Sequence, residues 1–163
     1  MISRAEYNRL ANEGYNRIPL HAEVLADLDT PVSAYLKIAQ GPYSYLFESV
    51  QGGEKWGRYS IIGLPCATVV RVTGDVLLIE QEGEEIHRQH TDDPLAAIQG
   101  IHRQFKVPEI ASLPRFDGGL VGYFSYDTVR FIEPQLGDTD LPDPIGASDI
   151  VLMVSDEILV FDN

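Results

Sequence analysis

Positive charge is scarce in this sequence: 12 Lys and Arg stand against 25 Asp and Glu, a formal net charge of −13. Nucleic acids and anionic membranes recruit proteins through clustered cations that release counterions, so no nucleic acid and no membrane is expected as a partner. Cysteine is nearly absent. Cys66 is the one thiol, which excludes an internal disulfide, and no set of Cys and His has zinc-site spacing. The chain is therefore expected to be cytoplasmic and to hold no metal or cofactor of its own. No apolar run approaches the ~18 residues of a membrane helix, and the opening Met-Ile-Ser-Arg-Ala-Glu-Tyr lacks the apolar segment of a secretory leader. The four histidines, at 21, 87, 90 and 102, are dispersed with no nucleophile paired to any of them, and no catalytic residue is assigned. Gly118, Gly119 and Gly122 fit neither the dinucleotide nor the Walker pattern, and read instead as places where another backbone approaches closely.

What is present is enough for one globular domain over residues 1–163, on the usual ~100 to 200 residues per domain. Ser3 and Glu6 have capping-box spacing ahead of Tyr7, Leu10 and Ala11, with Gly14 placed to end a helix. Arg17 to Leu25, with Pro19 inside it, reads as an edge strand because proline cannot donate to a ladder. Thr30-Pro31 caps a second helix with an apolar stripe of Val32, Tyr35, Leu36 and Ala39, stopped by Gly41-Pro42. Ala67 to Thr73 and Val76 to Gln81 form a hairpin around Gly74-Asp75, and Glu84 to Gln89 adds a third strand across Glu82-Gly83. Asp93-Pro94 starts a third helix carrying Leu95, Ile98, Ile101, His102 and Phe105. Residues 107–117 read as loop, Gly118 to Tyr126 as a strand, and Thr128 to Ile132 as a short helix. The stretch from Glu133 to Ser148, rich in proline and aspartate, is expected to be a surface excursion. Two last strands, Ile150 to Val154 and Glu157 to Phe161, flank Ser155-Asp156. The abrupt end after a strand leads us to expect a fragment of a longer protein.

The densest chemistry lies between Tyr45 and Gly63. Two strand-like runs, Tyr43 to Ser49 and Tyr59 to Leu64, flank a glycine-bearing connection with Glu48, Ser49, Lys55, Trp56 and Arg58 close together. A free amino acid needs a carboxylate for its ammonium and a hydroxyl or cation for its carboxylate, and this segment supplies both. The plainer reading makes Glu48 and Ser49 a solvated strand end, Lys55 and Arg58 surface ion-pair partners, Trp56 and Tyr59 packing groups, and Cys66 a small apolar residue.

Leu46-Phe47-Glu48-Ser49, Trp56-Gly57-Arg58-Tyr59-Ser60-Ile61-Ile62-Gly63, the run from Gly118 through Asp127 and the closing Leu159-Val160-Phe161-Asp162 follow one another in the order found in a known family. Over nearly its whole length the chain resembles the N-terminal domain of anthranilate synthase component I. The resemblance implies an α+β fold with antiparallel β-sheets and outer helices. It implies that Mg2+ and the chorismate chemistry belong to a larger C-terminal chorismate-binding domain absent from this chain, and that a glutamine amidotransferase subunit (component II) delivers ammonia. It also implies that L-tryptophan, as feedback effector, binds Glu48 and Ser49, with Arg58 in the place of a basic residue on the facing strand. Position 47 is Phe where many members have Leu, a change to the pocket wall. The paralogous aminodeoxychorismate synthase component I and a stand-alone amino-acid-binding module remain alternatives, as does a likeness of fold alone. Because neighbours on a strand point to opposite faces, Glu48 and Ser49 can share a ligand only where the alternation breaks, for which Gln51-Gly52-Gly53 offers a reason.

Overall fold

The computed structural model describes residues 2–48, 58–111, 113–136 and 143–162. It is an α+β arrangement of two antiparallel sheets with helices packed outside them.

Local chemistry sets the helices. Ser3, Thr30 and Asp93 each accept a hydrogen bond from the backbone amide three residues on, satisfying a donor that the first helical turn leaves orphaned. They cap α1 (Arg4–Asn12), α2 (Pro31–Ile38) and α3 (Pro94–His102), the last two with proline in the first turn. The capped starts expected from the sequence are all present. The α2 stripe is only partly buried, however: Ala34 and Ala39 face the core, while Val32 and Leu36 stand exposed.

The first sheet has three strands in the order β1-β2-β8, from β1 (Tyr45–Glu48), β2 (Tyr59–Gly63) and β8 (Ile158–Asp162). Helix α2 lies against it, and Ala34, Ala39 and Ile62 form its buried centre with Tyr35, Leu46, Leu159 and Phe161 around them. The second sheet has five strands in the order β5-β4-β3-β7-β6, from β3 (Thr68–Thr73), β4 (Val76–Gln81), β5 (Glu84–His90), β6 (Gly119–Phe124) and β7 (Ile150–Ser155). Its core face carries Val70, Val72, Leu77, Ile150 and Leu152 against Ile98 of α3. Both turns in the β3-β4-β5 meander use left-handed conformations, which glycine suits at Gly74 (φ +58°) and Gly83 (+84°) and which Glu82 adopts at +53° against its own preference.

Two expectations change. The segment from Arg17 to Leu25 forms no strand. The amides of Asn16 and Arg17 both donate to the carbonyl of Lys106, and the Arg17 guanidinium donates to Asp156 at 2.7 Å while lying over the Phe105 ring. These contacts pin the segment as an irregular strap, and its Leu20, Val24 and Leu25 point to solvent rather than alternating against a sheet. The expected short helix after β6 is a 3-10 helix, Tyr126–Phe131. The last two strands fall where expected but belong to different sheets: only Asp156 and Glu157 separate β7 from β8.

The sheets are joined at that crossing. Leu64 donates its amide to Glu157 at 3.0 Å, and the Tyr45 hydroxyl and Ser155 Oγ share a buried hydrogen bond of 2.8 Å. Beside them, Arg71 pairs with Glu80 at 2.8 Å and also donates to the Tyr43 hydroxyl.

Candidate functional site

Sheet register decides which residues of the Tyr45–Gly63 stretch come together. Strand β1 pairs with β2 so that Glu48 lies opposite Ser60, and β8 pairs with β2 so that Asp162 lies opposite Tyr59. Strands β1 and β8 both run antiparallel to β2. The end of β1, the start of β2 and the end of β8 therefore share one end of the three-stranded sheet, where Glu48, Asp162 and, just ahead of β2, Arg58 lie.

Arg58, one residue before β2, does not point freely into solvent. Its guanidinium forms a forked pair with Asp162, Nε to Oδ1 at 2.5 Å and Nη2 to Oδ2 at 2.6 Å, and lies 4.9 Å from the centre of the Tyr59 ring. Hydrogen bonding to the guanidinium holds the Asp162 carboxyl below the usual aspartate range, and the same contact pushes Arg58 further above its ordinary value. Both side chains remain more than half exposed. Glu48 is exposed at the end of an edge strand, and among the described residues it enters no ion pair. Ser49, Lys55 and Trp56 lie outside the described residues.

The arrangement is a guanidinium forked onto Asp162 at an accessible sheet end where the exposed Glu48 also lies. A ligand ammonium can meet a carboxylate there, and a ligand carboxylate can exchange with Asp162 on the guanidinium fork. Asp162 is the participant that reading the sequence missed. The closing Leu159-Val160-Phe161-Asp162 run stands out for its family order, but nothing local links it to Arg58, 104 positions earlier.

Elsewhere the chemistry is thin. Among the described residues, no three of His, Cys, Asp and Glu are grouped to hold a metal ion. No helix of the described residues is long and apolar enough to cross a membrane. An open groove of about 280 Å³ between α3 and the β6–β7 face is lined by Leu95, Ile98, Leu120, Phe124 and Leu152, with Gln99 and His102 at its edge. Two of the three glycines meet backbone as expected: a side chain at Gly122 would collide with the carbonyl of Val151, and one at Gly118, just before β6, with that of Ser155, whereas Gly119 has open space around it and a φ of +122° that glycine suits.

Comparison with known proteins adds the following. A Pseudomonas aeruginosa protein named anthranilate synthase component 1 is 58% identical over 162 residues, covering 99% of this chain and 33% of its own length. The protein of the same name from Neisseria meningitidis serogroup B is 54% identical over 166 residues, covering 100% of this chain and 34% of itself. That of Aquifex aeolicus is 42% identical, covering 99% and 32%. The chain thus spans about a third of the length of the curated relatives it matches. Among solved structures, anthranilate synthase component I from Streptococcus pneumoniae aligns over 88% of this chain and 30% of its own, at 25% identity and a TM-score of 0.47. No protein-family model matches.

Proposed function

We propose, from the premise that this chain is a relative of anthranilate synthase component 1 matching the N-terminal region of those proteins, that it is the regulatory domain of that enzyme's large subunit. In this reading the complete protein converts chorismate and ammonia to anthranilate and pyruvate, and an amidotransferase partner supplies the ammonia from glutamine. The Mg2+ and the elimination chemistry reside in the two thirds of the relatives that this chain does not span. The chain alone is inactive as a synthase.

Its own task is to bind L-tryptophan at the charged end of the three-stranded sheet. Glu48 receives the ammonium, the Ser49 hydroxyl and the Arg58 guanidinium receive the carboxylate, and Asp162 holds the guanidinium until the ligand arrives. The observation that carries this reading is that Glu48, Arg58 and Asp162 lie at the same end of the three-stranded sheet, with Arg58 forked onto Asp162. The Arg58–Asp162 pair is exposed and screened, so exchanging Asp162 for a ligand carboxylate costs little. Feedback then requires tryptophan to bind one arrangement of the complete enzyme better than another, since only differential affinity shifts a population.

Calorimetric titration of L-tryptophan into the full-length protein tests the site. Glu48→Gln and Ser49→Ala are each expected to weaken binding at least tenfold. Unchanged affinity in both would remove the site from this sheet end. Product analysis with chorismate and glutamine tests the activity: anthranilate supports the reading, and aminodeoxychorismate moves the protein to the folate paralogue.

A further inference from the structure

We infer that Tyr45 is a positioning residue for this sheet end, latching the strand that carries Glu48 to the five-stranded sheet; the inference rests on the effector-site reading above. Strand β1 is four residues long and has one ladder partner, β2. Phe47 and Glu48 are exposed, and Tyr45 is the buried residue of the strand. An edge strand this short, with so little burial, sits at the low end of local stability and opens readily.

Tyr45 counters that tendency in two ways. Its ring covers Gly63, the residue opposite it on β2, and continues into the Phe47 ring, whose centre is 4.8 Å away. Its hydroxyl reaches across to Ser155 Oγ, the last residue of β7 in the other sheet, at 2.8 Å and out of contact with water. Ser155 is 2% exposed, so the bond has no ready substitute from solvent. Three residues beyond Ser155, at Ile158, the chain enters β8, which ends on Asp162, the partner of Arg58. One hydrogen bond therefore ties the strand that delivers Glu48 to the end of the strand that leads into β8.

When only a fraction of molecules hold a binding-competent geometry, apparent affinity falls by that fraction. Removing the Tyr45 hydroxyl lowers the latched fraction, and with it tryptophan affinity, although Tyr45 touches no ligand. The test uses the full-length protein with Tyr45→Phe, Ser155→Ala and the double variant, read by amide hydrogen exchange and by calorimetry with L-tryptophan well below the melting temperature. Tyr45→Phe is expected to speed exchange selectively in β1, leaving the amides of Val70, Val72 and Leu77 protected. It is also expected to weaken tryptophan by roughly three- to tenfold, with the double variant no weaker than the weaker single.

Faster exchange spread evenly over both sheets would reduce Tyr45 to general stability and overturn the inference. Unchanged affinity in Tyr45→Phe beside a binding wild type overturns it as well, and leaves the effector site standing. A wild type that binds no tryptophan removes the effector site itself, and Tyr45 then positions nothing.

Discussion

A methyl group on Gly63 would lie 1.9 Å from Cε1 of Tyr45, inside the ring that spans the two strands. That ring is buried and its hydroxyl is engaged, so it cannot swing aside without breaking the Ser155 bond. Gly63→Ala is expected to destabilise the protein by about 1–3 kcal/mol, the usual cost of overpacking. Gly100→Ala is the contrasting control. It lies within α3 with nothing within 4 Å of the new methyl, and should stabilise by about 0.5–1 kcal/mol. Urea denaturation midpoints moving in the same direction for both variants would contradict this account.

Gly122 faces a harder obstacle. A Cβ there would sit 1.9 Å from the Val151 carbonyl oxygen, part of the β6–β7 ladder. A carbonyl in a ladder has no rotamer to change, so Gly122→Ala should force the edge strand β6 away and cost more than Gly63→Ala. Chemical denaturation of the two variants side by side gives the order, and near-wild-type stability for Gly122→Ala would refute it.

The Arg58–Asp162 pair is predicted to matter for ligand and not for stability. Both groups are largely solvated, so Asp162→Asn should leave the thermal midpoint where it is. The freed guanidinium should bind L-tryptophan more tightly, whereas Arg58→Gln should weaken it. The opposite signs are the diagnostic feature in a calorimetric comparison, and equal loss in both variants would show that Asp162 itself contacts the ligand.

Alkaline pH should loosen the joint between the sheets. Burial raises the Tyr45 phenol above its ordinary 10.0 and the Cys66 thiol above its ordinary 9.0. Both are acids whose neutral form the fold prefers. Their contribution is complete below the unfolded values and is lost as pH rises through the higher folded ones. Stability measured by urea between pH 8 and pH 11 should fall, and Tyr45→Phe should flatten the upper part of the decline. A variant profile parallel to wild type would exclude Tyr45 as its source.

What could be read from the sequence was whatever neighbours in the chain decide. Ser3, Thr30 and Asp93 announce their helices because a cap bonds an amide three residues on, and Gly74 and Gly83 announce their turns through backbone freedom. The strap from Arg17 to Leu25 misled because its apolar residues suggested burial that no sheet edge supplies. Nothing local could say that Ser155 and Ile158 belong to different sheets, or that β3 lies beside β7. Those pairings join residues about 80 positions apart, as Val69 with Met153. The site divides along the same line. Glu48 and Arg58 stood out together because they flank one loop, while Asp162 enters by register alone.

The central strand of the smaller sheet, β2, has one neighbour from just before it and another from about 100 positions later. During synthesis, Glu48 and Arg58 leave the ribosome long before Asp162, and for that interval one edge of β2 has no neighbour to close it. Folding of this sheet is set by a late, long-range closure that is slow by nature. Until it happens, that edge of β2 presents unpaired backbone groups that a foreign strand could meet.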